Sequence, residues 1–221
     1  MQDDKIAELG EESLGRTPRV RDLGVTVDSS FKPSANCVEA ANRARRALFA
    51  LKRSVASREP LVWVPLYCAY VRPHLEYCVQ AWSPYLAKDV ALLERVQRLA
   101  TRWVAGIEGL PYEERLKRLN LFSLARRRLR GDLIEVYRMS SGLAGIPLAS
   151  LLTPHEGRLT RGHEHKLKKV QSRLELRRCF FTQRVVNPWN RLPAEVASAP
   201  SLSVFKKMLD DCWDQCFPHL P

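Results

Sequence analysis

Two pairs of adjacent aspartates are the residues of this sequence best suited to metal-dependent chemistry. Paired carboxylates can hold two divalent cations that flank the attacking and leaving oxygens of a phosphoryl transfer. The pairs are Asp3-Asp4, in a polar leader, and Asp210-Asp211, in a segment with helical spacing of apolar residues. Neither pair lies in a predicted strand. The sequence therefore predicts no catalytic residue and no bound metal.

Thiol and imidazole groups are the second set that could do chemistry. Cys212, Cys216 and His219 could supply three zinc ligands, but no well-spaced fourth follows, and buried thiols on a helix are the favoured alternative. The six cysteines show no Cys-x-x-Cys spacing, which is typical of free thiols in a reducing compartment. His163 and His165 lie in a basic loop and are predicted to be solvated or to contact phosphate. Nucleophile-elbow, phosphate-loop and dinucleotide-binding glycine patterns do not occur in the sequence.

The charge of the chain is strongly positive and unevenly distributed. The formal net charge is +12, and hydrophobic residues make up 45% of the sequence, so a folded basic protein is expected. Residues 31–60 hold seven basic and two acidic side chains, and residues 151–191 hold ten and three. Such a surplus favours a polyanion as partner, because neutralising phosphates releases counterions. A basic protein without a polyanion partner is the alternative.

A long amphipathic helix is predicted over residues 35–57, with Ser34 as its N-cap. Apolar residues recur at three- and four-residue steps and form its buried stripe: Ala41, Ala44, Leu48, Leu51 and Val55. Arg43, Arg46 and Arg53 lie off that stripe and form a basic ridge. The ridge is either solvated or placed along a nucleic-acid backbone, and the sequence alone favours neither.

A second arginine-rich helix is predicted over residues 124–141, capped by Ser123. Leu129, Leu133 and Val136 are expected to point inward, and the first half carries Arg126, Arg127, Arg128 and Arg130. Gly131 in mid-helix costs about 1 kcal/mol relative to alanine, which predicts a closely approaching backbone.

The other elements complete a mainly α-helical architecture. Alternating Leu23, Val25 and Val27 predict one short strand over residues 20–28. Helices are predicted over residues 61–70, 87–105 and 111–119, at the approach to Trp189, and after Ser201. No apolar run reaches the length of a membrane span. Interleaved aromatics from Trp63 to Trp82 could stack on bases, but packing in the core is favoured.

The predicted organisation has four parts. Residues 1–19 are a disordered or short-helical leader, and residues 20–141 form a helical bundle with the N-terminal strand. Residues 142–162 are rich in glycine and proline and are predicted to be a loop between sub-domains. Residues 163–221 form a smaller C-terminal helical part that begins with a basic run, in which Lys166, Lys168 and Lys169 stand out.

Four blocks of the sequence resemble one protein family. They are Arg72-Pro73-His74-Leu75-Glu76-Tyr77-Cys78 with Leu92 to Arg98, Ser123 to Tyr137, Thr160-Arg161-Gly162-His163, and Phe180 to Pro193. Their amino-acid sequences resemble the thumb and C-terminal region of non-LTR (LINE-type, jockey-like) retrotransposon reverse transcriptases. The resemblance covers about residues 20–213 and implies a polymerase-thumb-like helical bundle.

The resemblance also implies a function. It implies an RNA-directed DNA polymerase fragment that is inactive alone, because the palm aspartates are absent; Mg²⁺ is implied only for that absent palm. The implied partners are RNA or an RNA–DNA hybrid, and the palm and fingers of the same element's polymerase, in the nucleus and cytoplasm. The residues expected to contact nucleic acid are Arg43, Arg46, Arg53, Arg126, Arg127, Arg130, Lys166, Lys168 and Lys169. A co-opted helical protein-interaction module, without nucleic-acid binding, is the alternative.

Overall fold

The computed structural model describes residues 8–9, 12–13, 17–155 and 162–218. Within them the chain is mainly α-helical, as predicted, with short N-terminal strands. The helices are α1 (Ser34–Ser54), α2 (Pro60–Leu66), α3 (Arg72–Glu76), α4 (Val79–Trp82), α5 (Ala87–Arg102), α6 (Tyr112–Arg118), α7 (Leu124–Ser140), α8 (Leu148–Leu151), α9 (Glu175–Arg178), α10 (Phe181–Arg184), α11 (Val186–Asn190), α12 (Ala194–Ala197), α13 (Leu202–Asp211) and α14 (Trp213–Cys216). Across those ranges no helix has the length and hydropathy needed to span a membrane.

The N-terminal end carries two antiparallel strand pairs. Strands β1 (Glu8–Leu9) and β2 (Glu12–Ser13) pair within the predicted leader, most of which lies outside the described residues. Strands β3 (Arg19–Asp22) and β4 (Val25–Asp28) form a hairpin where the sequence predicted a single strand. The difference lies in the turn, because Leu23 and Gly24 both have positive φ, at 43° and 84°. Two such residues make a tight turn whose twist suits a hairpin.

The first core is built around α1 and α5, which pack side by side. Ser34 is the first residue of α1 and not its cap; its hydroxyl donates to Asp89 at the start of α5, at 2.6 Å. At the other ends of the two helices, Phe49 meets Trp103, with ring centroids 5.3 Å apart. The helices therefore run parallel. The residues buried between them and α2–α3 include Leu48, Trp63, Tyr67, Leu75 and Leu93.

The segment from α2 to α3 continues through a π-helical turn at Tyr67–Val71. Pro65 lies inside α2 and Pro73 in the first turn of α3, so both remove a backbone donor from the helical ladder. The wider π turn lies between them and accommodates the change in register. The helix predicted over residues 61–70 is therefore divided, because the chain leaves the regular α geometry at Tyr67 and resumes it at Arg72.

The second core joins the second half of α7 to the C-terminal helices. Trp189, Phe205 and Trp213 are fully buried in it. Tyr137 of α7 stacks on Phe205 at 4.3 Å between ring centroids, and its hydroxyl donates to the Ala199 carbonyl at 2.7 Å. The helix predicted after Ser201 is α13, and the Ser201 hydroxyl caps it by accepting from the Val204 amide at 3.3 Å.

Helix α7 belongs to both cores. Leu124, at its start, is buried in the first core, whereas Leu133, two and a half turns later, is buried in the second. The division between cores therefore falls within α7 and not in the loop at residues 142–162, part of which is outside the described residues. Leu152 of that loop is buried in the second core. Among the described residues, no neighbouring backbone approaches Gly131 as closely as predicted. A Cβ atom added to Gly131 would contact only the Nε2 atom of Gln80, at 3.8 Å.

Candidate nucleic-acid interface

The side of α1 that faces away from the first core carries a basic surface. Ala41, Ala44 and Leu48 are fully buried on the inner side, which leaves the residues about half a turn away on the outside. These outer residues, which we call the α1 outer face, line one shallow groove: Asn42, Arg45, Arg46, Phe49 and Arg53. Two of the three residues predicted on this helix, Arg46 and Arg53, are exposed there.

The arginines of the α1 outer face are not neutralised by nearby acids. No carboxylate in the described part of the chain lies within ion-pair distance of Arg45, Arg46 or Arg53. Arg43, the third residue predicted on α1, lies on another side, is half-buried, and meets Glu39 at 4.0 Å. The unpaired guanidinium groups keep their donors available for an external anion.

Aromatic rings adjoin this basic surface. Phe49 is 43% exposed and lies edge-on to Trp103 at the end of α5. The Lys52 ammonium lies 4.3 Å from the centroid of the Trp103 ring, a cation–π contact. The charge pattern of the sequence indicated the arginines but not Phe49. The signal for Phe49 was an aromatic residue four positions from both Arg45 and Arg53.

The arginines predicted on α7 have intramolecular partners. Arg127 donates from Nε and Nη2 to the two oxygens of Glu76, the second at 3.0 Å. Arg130 donates from Nε and Nη2 to Asp210 at 2.7 and 2.8 Å. Arg126 lies over the Phe122 and Trp213 rings and 3.8 Å from Asp214. These contacts join α7 to α3, α13 and α14, so the three side chains are committed to packing between elements.

The predicted lysines lie on the second core. Lys168 and Lys169 are exposed, whereas Lys166 is half-buried beside Gly162. The strand-like segment that carries them is anchored by Leu167, whose amide donates to the Asn190 side chain at 2.8 Å. The predicted contact residues thus fall into three groups. Arg46 and Arg53 on α1 are exposed, four arginines on α1 and α7 have acidic partners, and the lysines lie on a segment beside the second core.

His163 is buried and not solvated as predicted. It is 1% exposed, and its Nε2 lies 3.1 Å from the Trp189 carbonyl, which it can bond only by donating a proton. Burial lowers the pKa of this imidazole, and the hydrogen bond to Trp189 opposes that shift in part. His165 is exposed. The basic composition of the loop gave no indication that His163 packs edge-on to the Trp189 ring, with the two ring centroids 5.8 Å apart.

The side chains that could have bound a metal do not form a metal site in the described residues. Asp210 is bound by Arg130, which gives it a structural partner, and Asp3-Asp4 lie outside the described residues. The Cys212 and Cys216 sulfurs are 3.8 Å apart, and His219 is outside the described residues. Across the described ranges, no group of three or more His, Cys, Asp or Glu side chains could hold a metal ion.

Together these features define a mainly α-helical protein with two apolar cores that share α7 and a basic, aromatic-edged face on α1. Comparison of the chain with protein family models, with curated proteins and with solved structures finds no match.

Proposed function

We propose that this chain is the thumb-side, C-terminal part of a non-LTR retrotransposon reverse transcriptase, and that it binds RNA or an RNA–DNA hybrid along the phosphate backbone. The four sequence blocks described above support the assignment. The observation that carries the binding activity is the α1 outer face, with exposed arginines that have no ion-pair partner among the described residues. No aromatic-Ala-Asp-Asp tetrad occurs in the sequence, so we expect no polymerase activity from this chain alone.

The geometry of the α1 outer face suits backbone contacts that do not depend on sequence. Arg46 and Arg53 lie two turns apart, which places their Cα atoms about 10 Å from each other along the helix axis. Guanidinium groups bind phosphate oxygens bidentately, and each phosphate that they neutralise releases counterions. Phe49, between the two arginines, offers a ring on which any base can stack. The proposed ligand is therefore recognised by charge and by base planes, not by base edges.

The test is fluorescence anisotropy with a labelled 20-nucleotide RNA and with the matching RNA–DNA hybrid, titrated at several salt concentrations. We expect the logarithm of affinity to fall linearly with the logarithm of salt concentration for the wild type. The variant R46Q/R53Q should lose about tenfold in affinity at low salt, and the magnitude of its salt slope should fall by about 1.5 to 2 because two phosphate contacts are removed.

The matched control is R191Q/K207Q, which removes two exposed positive charges from the surface around the second core. It should bind almost as the wild type does. Equal losses in the two variants would show that only net charge matters, and the α1 outer face would no longer be the proposed site.

A helical protein-interaction module is the second candidate. It is favoured by exposed apolar side chains on the β3–β4 hairpin and the loop that follows, namely Val20, Leu23, Val27 and Phe31, which are 38% to 84% exposed. The same titration separates the candidates, since a protein-binding module predicts RNA affinity that is absent or indifferent to salt.

A further inference from the structure

Arg128 is a buried cation whose guanidinium makes no hydrogen bond to the described residues. Arg128 is 5% exposed, and its Nη1 atom has no hydrogen-bond partner among the described residues. A buried, unsatisfied donor on a charged group is among the less favourable arrangements in a folded protein. Burial accordingly lowers the pKa of this guanidinium, although nearby negative groups, Glu94 foremost, oppose the shift. A ligand that accepts a hydrogen bond from Arg128 would remove this unfavourable contribution.

The carboxylates around Arg128 are already bound by other donors. Glu94 accepts from the Tyr112 hydroxyl and from the Leu124 amide, the latter at 3.1 and 3.2 Å to its two oxygens. Glu76 accepts from Arg127, and Asp132 accepts from Arg184 at 2.8 and 3.0 Å. These acids act on Arg128 through space but do not hydrogen-bond to it. Arg128 therefore offsets the charge of Glu94, whose hydrogen-bond partners are neutral, but its guanidinium donors are not used by these carboxylates.

Arg128 also lines a cavity. The cavity has a volume of about 240 Å³, opens to solvent, and lies between the Ser83-Pro84 turn, Val90 of α5 and one side of α7. Arg184 and Asp132 form part of its wall, so it carries two guanidinium groups against one carboxylate. Pro84, Val90, Ala125 and Leu129 form the apolar part of the wall, and Ser83 adds a hydroxyl group.

We infer that this cavity binds a phosphate group, with Arg128 donating to its oxygens and the Ser83 hydroxyl available as a second donor. The charge of Asp132 is held by Arg184, so the excess positive charge of the wall belongs to Arg128. A guanidinium presents a rigid fork of donors that matches phosphate oxygens. The phosphate could come from the free ion or from the phosphorylated end of a nucleic acid. The inference is independent of the α1 outer face.

The first experiment measures binding of inorganic phosphate by isothermal titration calorimetry and by thermal unfolding, with chloride adjusted to keep the ionic strength constant. The wild type should show saturable binding and a melting temperature that rises with phosphate concentration. Arg128→Met should lower phosphate affinity at least tenfold. In phosphate-free buffer it should melt close to the wild type, because the attraction to Glu94 that it loses is offset by the desolvation cost that it removes.

Arg95→Met is the matched control, since Arg95 is an exposed arginine on α5. It should keep the full phosphate response. A wild-type protein whose melting temperature ignores phosphate at constant ionic strength would overturn the inference, as would equal losses in the two variants. If Arg128→Met does not fold, Ser83→Ala decides: a several-fold loss of phosphate affinity supports the site, and unchanged affinity overturns it.

The two sources are separated with short RNA oligonucleotides that carry either a 5′-phosphate or a 5′-hydroxyl. A preference of at least tenfold for the phosphorylated end, lost in Arg128→Met, identifies a nucleic-acid terminus as the ligand. Equal binding of the two oligonucleotides, together with saturable binding of inorganic phosphate, identifies the free ion. Because R46Q/R53Q leaves this cavity intact, its phosphate binding should be unchanged, which keeps this inference separate from the proposed RNA-binding surface.

Discussion

Arg184 holds the buried carboxylate of Asp132 in a bidentate pair, with Nε and Nη2 at 2.8 and 3.0 Å from the two oxygens. The same Nη2 lies 3.3 Å from the carbonyls of Val79 and Gln80, in the helix that precedes α5. One guanidinium thus connects α10, α7 and α4, and with them the two cores. Asp132 is so deeply buried that its pKa is raised by desolvation despite the arginine beside it.

The first prediction concerns this pair. Asp132→Asn should destabilise the protein by about 3 kcal/mol, because it leaves a mostly buried guanidinium without its counter-charge. Urea unfolding measures the change. Asp211→Asn, an exposed acid on α13, should stay within about 0.5 kcal/mol of the wild type. A loss below about 1 kcal/mol for Asp132→Asn would mean that the pair does not hold the cores together.

The second prediction is a pH dependence that originates at His163. The pKa of this imidazole is lowered in the folded state, so the unfolded chain takes up the proton more readily. Stability from this group is therefore complete above its unfolded pKa, about 6.5, and decreases as the pH falls through the folded value. Urea unfolding at pH 7.5 and 5.5 should show the decrease, and His163→Gln should reduce it. An identical pH dependence in the variant would assign it to other groups.

The third prediction uses two glycines of opposite backbone geometry. Gly131→Ala should stabilise the protein by about 0.5 to 1 kcal/mol, since the site is helical and the new methyl group meets only Gln80 at an ordinary distance. Gly142→Ala should destabilise it by about 1 kcal/mol, because Gly142 has φ +68°. Thermal unfolding of both variants is the measurement. The same sign of change in both would contradict the described end of α7.

The fourth prediction concerns thiol reactivity. Cys37 is fully buried, and burial raises the pKa of its thiol to about 12, whereas Cys78 is exposed. At pH 8 an alkylating reagent should modify Cys78 in the native protein and leave Cys37 untouched until denaturant is added, because the thiolate is the reactive form. Peptide mass spectrometry identifies the modified residues. Rapid native labelling of Cys37 would show that the first core opens readily.

Several elements could be predicted from the sequence because their signals are local. Helix α7 begins after Ser123, whose hydroxyl accepts from the Arg126 amide at 3.2 Å, and α13 begins after Ser201. A polar cap followed by apolar residues at three- and four-residue steps favours a helix, and this signal does not depend on residues distant in sequence. The hairpin at Leu23-Gly24 was missed because a non-glycine residue with positive φ leaves little trace in the sequence.

The arginines of α1 and α7 show which side-chain environments can be predicted from neighbouring residues and which cannot. On α1, the spacing of Arg46 and Arg53 away from the apolar stripe correctly predicted exposed side chains, because the periodicity of one helix decides which side is buried. On α7, the same charge density gave no hint that Arg127 would meet Glu76, which is 51 residues away. That pairing depends on how α7 crosses α3.

The amino-acid sequence alone determined the mainly helical class, the serine caps of α7 and α13, the excess of positive charge and the exposure of Arg46 and Arg53 on α1. All of these depend on neighbours within a turn or two of the chain. The tertiary structure alone decided that α7 belongs to two cores and that most of its arginines bind acids of the same chain. It also decided that Arg128 lines a cavity and makes no hydrogen bond to the residues that the structure describes. Those outcomes follow from contacts between residues distant in sequence, which no local pattern specifies.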